Sequence, residues 1–353
     1  MAKSRQISID YMKSMLVIGM ILAHSLQLLS KNEGKYWVFS TLINLFTFSG
    51  FFFCYGYVFY LSYFSKSKDK VKKNILTTAW KTLAAYYIVA FFSLSLIYDK
   101  YINVDFDFSA VNVLRVFLLF EIPFYSEFLL SFFLITILSF LFFDKFVLLA
   151  KNKILLFSLI AVCLLWTCLA PSNLFLKNQL ALLVGTSGFS AFPVIQYLPF
   201  FLIGVLFSKN SIPVNYLGFS LSLTGTFIFA LYVYLNKGIP SRFPPSIFWI
   251  LGSTGILYTL LSIARFLEDH RIIYSSIASI GSNALIYLVI SSIIIFSLSK
   301  RFNTSPVLAL VIGGVTILTI SFLIGLVRVN SYVKEEVHSG DLGTVTIAEK
   351  ERN

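Results

Sequence analysis

Three ionisable side chains interrupt an otherwise apolar stretch near the start of the chain, Ile9 to Ser25, and their spacing is that of one helix face. At about 100° per residue, the step from Lys13 to His24 closes to within roughly 20° of whole turns, and Asp10 lies about 40° from His24. Asp10, Lys13 and His24 therefore share a face, with Lys13 and His24 roughly 16 Å apart along the axis. Charged or titratable groups in hydrocarbon are costly and tend to line polar cavities. A neutral imidazole held there suits proton abstraction from a hydroxyl group. Read singly, each residue has a plainer use: His24 as a hydrogen-bond partner of a neighbouring helix, Asp10 and Lys13 as a surface ion pair. The shared face sets the expectation of one cavity, lined by all three and open to both sides.

The elements that must position these residues are transmembrane helices. The chain has 353 residues, 58% hydrophobic and 12% charged, with 38 phenylalanines, against about 25% charged residues in soluble domains. Apolar runs long enough to cross a bilayer recur along most of the length. The reading is an all-α, polytopic membrane protein of about ten spans, near 11–30, 37–63, 75–98, 124–143, 154–170, 193–208, 214–235, 247–267, 273–298 and 306–328. Residues 1–330 form the membrane domain and 331–353 a polar tail. About two-thirds of the lysines and arginines then fall on the side of the two termini, which the positive-inside rule makes cytoplasmic.

The net charge of +12 resides in short loops between apolar runs, and no basic recognition motif for nucleic acid is present. Cys54, Cys163 and Cys168 lie within apolar spans without a metal-ligand pattern, so no metal site is expected. No cleavable signal peptide is expected either. Ionisable groups inside the spans concentrate in the N-terminal half, where Lys81 and Glu127 join the first-helix residues, each near a span end that gives it access to headgroup water. Between spans, the run VNVLRVFLLFEIPF reads as an interfacial or re-entrant helix.

Together these residues resemble acyltransferase family 3, integral-membrane acyltransferases that are mostly bacterial. Its first helix opens with an Asp, a basic residue three positions on and a His after ten intervening residues, here Asp10, Lys13 and His24. The basic residue is more often Arg, whose bidentate fork Lys13 lacks. FTFSGFFFCYGYVF, the basic run KVKK, YLPFFLIGVLF, FPPSIFWILGSTG and IGSNALIYL follow in the family's order and spacing. Two departures stand out: SEFLLSFFL replaces a His-containing segment in span four, and Val289 and Ile290 follow IYL where a His is usual.

The resemblance implies transfer of an acyl group, usually acetyl, from acyl-CoA to a hydroxyl of a cell-surface glycan or lipid-linked sugar, in the bacterial cytoplasmic membrane. No resident cofactor is implied; acetyl-CoA or another acyl-CoA is the donor substrate. His24 would act as general base, with Asp10 holding Lys13. Lys13, Lys72 and Lys73 would face the CoA phosphates, although the same lysines serve equally as topogenic charge. Glu127, Arg115 and Arg242 would contact the acceptor. The alternatives are a transporter or flippase of such sugars, and a catalytically silent partner in glycan assembly. Transporters tend to carry paired, interrupted spans in matching halves, and no such pair is evident here.

Overall fold

A computed structural model describes residues 6–99, 106–169, 178–186, 191–270 and 276–327. The tail at 331–353 and much of the loop at 171–192 lie outside the described residues. In hydrocarbon every backbone polar group must be satisfied within its own segment, so apolar runs become helices. Fourteen are defined in chain order among the described residues: α1 (Ile7–Leu29), α2 (Gly34–Phe59, extended by a π-helical turn, Tyr60–Phe64), α3 (Lys68–Leu96), α4 (Ala110–Phe117), α5 (Glu127–Leu141), α6 (Phe143–Lys151), α7 (Lys153–Leu169), α8 (Asn178–Val184), α9 (Val194–Asn210), α10 (Tyr216–Asn236), α11 (Ile247–Asp269), α12 (Ser276–Ser282), α13 (Ala284–Ser299) and α14 (Pro306–Val327).

Six of these helices have the length and composition to cross a membrane, or seven if α5 and α6 count as one bent span. Three further apolar helices, α7, α9 and α13, are shorter, at 17, 17 and 16 residues. The expected count of about ten therefore stands at six or seven by length and composition. One expected span is interrupted: the ninth is divided at Asn283 between α12 and α13, whereas the fourth, expected at 124–143, ends at the 87° bend between α5 and α6. The basic run before the third span is helical rather than a loop: α3 begins at Lys68 with Asp69 in its first turn, where an acidic side chain favours helix initiation.

α1 is the buried axis of the bundle, enclosed by α2, α11, α12 and α13. Ser14 fastens it to α12: its hydroxyl lies 2.8 Å from the Asp10 carbonyl and 2.5 Å from the Ile277 carbonyl, and accepts from the Gly281 N–H at 2.9 Å. A Cβ on Gly281 would stand 1.9 Å from the Asp10 carbonyl oxygen, so only glycine allows this approach. α2 and α9 cross as closely. A Cβ on Gly56 would stand 2.0 Å from the Phe201 carbonyl oxygen, and one on Gly204 2.1 Å from that of Phe53. Small residues at such crossings let helix backbones pack where no hydrophobic force drives association.

α10 lies outermost, with 6% of its apolar window buried, and is joined to α11 by Thr226 donating to the Gly252 carbonyl and Thr254 to the Ser222 carbonyl, each at 2.8 Å. α4 is the amphipathic helix expected from its sequence, with Val116 buried and Val111, Leu114 and Phe117 exposed.

The α2–α9 crossing can be tested by substitution. Gly56→Val should lower the thermal midpoint of the detergent-purified protein, with a loss of about 1–3 kcal/mol or more. Gly314→Ala, whose new Cβ meets nothing within 4 Å, should leave the midpoint unchanged or slightly raised.

Candidate functional site

On α1 the residues Asp10, Lys13, Val17, Met20, His24 and Gln27 follow one another at steps of three and four, the spacing of a single helix stripe. The stripe meets two cavities rather than one. At the end where α1 begins, Asp10 and Lys13 line a cavity of about 440 Å³ with Gln6, Tyr57 and Lys66. At the other end, His24 and Gln27 line a cavity of about 260 Å³ with Asn44, Thr47, Tyr125, Glu127 and Arg242. Between them Leu16, Val17 and Phe52 are fully buried, and apolar packing there divides the expected single cavity.

In the first cavity Lys13 Nζ lies 2.7 Å from Asp10 Oδ1. Asp10 is nearly buried and Lys13 partly open, with side-chain exposures of 7% and 20%, so the ammonium is the group presented to an incoming anion. A neighbouring cavity of about 540 Å³ shares Gln6 and Tyr57, whose side chains are hydrogen-bonded, and adds Arg265 and Glu268. Glu268 accepts from the Ile7 N–H at 2.9 Å, which caps the free end of α1. Lys72 and Lys73 are exposed on α3, in a shallow groove with Trp80, and do not line the Lys13 cavity.

The His24 cavity is walled by aromatic rings, among them Phe48, Phe51, Phe128, Phe192 and Phe243. His24 meets the Tyr125 ring edge-on, with centroids 5.1 Å apart at 90°. Tyr125 and Phe192 both adopt left-handed backbone conformations, with φ of 64° and 56°, which cost on the order of 1–3 kcal/mol each in bulky residues. Neighbouring helices hold them. Ser93 of α3 donates to the Phe124 carbonyl at 2.8 Å, and Ser131 of α5 to the Phe192 carbonyl at 2.6 Å. The strained turns aim both rings into the cavity.

Glu127 is buried at the first residue of α5, a position where the helix N-terminus favours an acidic side chain. Arg242 comes from the tight connection before α11. There Ser246 donates its N–H to the Ser241 carbonyl at 2.9 Å, and its hydroxyl accepts from the Trp249 N–H at 3.2 Å. The guanidinium carbon then stands 4.5 Å from the Phe243 ring centroid and 5.9 Å from those of Phe192 and Trp249. Burial lowers its proton affinity, and the nearby Tyr197, Tyr125 and Glu127 raise it. Arg115 is exposed on α4 and does not line this cavity.

The structure thus brings His24, Glu127 and Arg242 to one cavity, Asp10 and Lys13 to another, and leaves Arg115, Lys72 and Lys73 outside both. Tyr125, Phe192, Asn44 and Gln27 were not among the residues singled out by sequence. Gln27 alone carried a signal, at i+3 from His24 on the same stripe.

A family model described as an acyltransferase domain, that of acyltransferase family 3, matches residues 6–326. The chain belongs to acyltransferase family 3. No curated protein and no solved structure matches it. As a family member it is a multi-pass membrane acyltransferase, and the transporter reading is not favoured. The match spans both cavities and each candidate residue named above.

The Asp10–Lys13 ion pair offers a test independent of turnover. Lys13→Met leaves the Asp10 carboxylate without its ammonium and should cost about 1–3 kcal/mol of stability. The double variant Asp10→Asn/Lys13→Met should recover part of that loss in a double-mutant cycle of thermal midpoints.

Proposed function

We propose that this acyltransferase moves an acyl group, acetyl in the simplest case, from acyl-CoA to a hydroxyl of a cell-surface glycan or lipid-linked sugar across the bacterial cytoplasmic membrane. The observation that carries the reading is the placement of Lys13 and His24 on one helix stripe but in separate cavities at its two ends. With the termini cytoplasmic, the Lys13 cavity opens toward the CoA pool and the His24 cavity away from it.

In this reading Lys13, steadied by Asp10 at 2.7 Å, and the adjacent Lys66 attract the phosphates of the donor as point charges. Lys72 and Lys73 lie along α3 beyond that cavity, where they extend the positive field without touching the thioester end. In the second cavity His24 takes the proton of the acceptor hydroxyl as that oxygen attacks the acyl carbon; the C–S bond breaks, and the departing CoA thiolate recovers that proton to leave as the thiol. Among the described residues the His24 ring nitrogens have no protein hydrogen-bond partner, which leaves them available to an acceptor. Glu127 and Asn44 supply polar edges for sugar hydroxyls, and the surrounding rings supply faces on which a sugar can stack. Arg115, on the exposed amphipathic helix α4, is placed to meet lipid headgroups or a lipid-linked acceptor rather than the reacting hydroxyl.

The test compares surface-glycan esters in cells expressing the wild-type chain, His24→Ala or no protein, at matched membrane levels. Both His24→Ala and the deletion should lose the same ester, the variant by at least about 100-fold in rate, the scale of a general base. Lys13→Gln should raise the KM for acyl-CoA more than it lowers kcat. An unchanged ester content with intracellular accumulation of a glycan precursor would overturn the acyltransferase assignment.

A further inference from the structure

Arg242 presents an unusual balance of charge in the His24 cavity. Its guanidinium is half-buried, is flanked by the faces of Phe192, Phe243 and Trp249, and carries five N–H donors. Among the described residues none of these donors meets a protein acceptor and no carboxylate lies within ion-pair distance. The one carboxylate lining the same cavity, Glu127, interacts with Arg242 through space but lies outside ion-pair distance of it. It therefore does not neutralise Arg242 by contact.

A cation removed from water and left without an acceptor is costly, and cation–π contacts of about 0.5–2 kcal/mol recover only part of that cost. The aromatic faces do something else as well. They fix the guanidinium plane while leaving its N–H edge free, and that edge matches the two oxygens of a carboxylate or phosphate. The tight connection from Ser241 to Ser246 holds the residue against α11, so the fork is positioned before any ligand arrives.

We infer that the acceptor of this acyltransferase is anionic, carrying a carboxylate or phosphate beside the hydroxyl to be acylated, and that Arg242 grips this oxyanion while His24 faces the hydroxyl. The inference rests on the acyltransferase reading and adds the substrate class. It separates acceptors such as uronic-acid or phosphate-bearing polymers from neutral glycans, on which the guanidinium would find only hydroxyl oxygens.

The first experiment uses wild-type and deletion cells and locates, by NMR of the purified envelope polymers, the residue that loses its ester. Loss from a uronic acid or other carboxylate sugar supports the inference with carboxylate as the source; loss from a phosphate-bearing unit supports it with phosphate as the source. Loss from an uncharged residue of a neutral polymer overturns the inference while the acyltransferase reading stands. No ester lost from any polymer overturns both. The second experiment measures transfer by the purified full-length protein to the identified polymer and to its carboxyl-reduced or dephosphorylated form. Wild type should prefer the charged form by at least tenfold in kcat/KM. Arg242→Gln should raise the acceptor KM and abolish that preference, and Arg242→Lys should restore part of it. Equal use of the two forms by the wild type overturns the inference even if the variants fail to fold.

Discussion

Hydrocarbon cannot solvate an aspartate, a lysine or a histidine, so the helix that carries all three has to be enclosed by the rest of the chain. α1 meets that constraint by running down the middle of the bundle, with α2, α11, α12 and α13 around it. The enclosure depends on backbone proximity. Ser14 joins α1 to α12 through two short contacts, and Gly281 lets the α12 backbone reach the Asp10 carbonyl. A second glycine crossing, Gly56 with Gly204, fixes α9 on α2 and so sets the wall that faces α1. Close packing without much hydrophobic drive requires small residues at these points, and the two cavities are the places where packing gives way around the polar side chains.

Much of this arrangement was legible in the residues themselves. Periodicity placed Asp10, Lys13 and His24 on one face, and both composition and the recurrence of apolar runs indicated a helical membrane protein. The run around Arg115 read as an interfacial or re-entrant helix, and α4 is a short amphipathic helix with Val111, Leu114 and Phe117 exposed. The division of the shared face into two cavities was not legible, because angular position along a helix says nothing of what neighbouring helices insert between two levels. Here Phe52 of α2 and the buried Leu16 and Val17 of α1 occupy the middle.

Two further features were hidden for a similar reason. The break between α12 and α13 falls at Asn283, inside the ninth span expected at 273–298. Hydrophobic pattern alone cannot distinguish one long span from a shorter helix followed by another. The left-handed turns at Tyr125 and Phe192 are equally silent in sequence, since bulky residues avoid that conformation unless tertiary contacts impose it. Serines 93 and 131, which impose it, are ordinary helix residues until their partners across the bundle are known.

The apolar layer between the cavities bears on the acyl transfer proposed between the two sides of the membrane. Two water-accessible cavities joined end to end would conduct ions, so a transferase spanning the bilayer needs an apolar barrier that a small acyl group can cross and ions cannot. The barrier here is tightly filled: a Cβ on Gly50 would stand 2.7 Å from a Leu16 methyl and 2.8 Å from a Leu257 methyl. Lys13 and His24 are roughly 16 Å apart along α1, which exceeds the reach of one side chain. In the proposed transfer from acyl-CoA, an acyl carbonyl delivered from the Lys13 side would have to penetrate this layer to meet a hydroxyl held at His24.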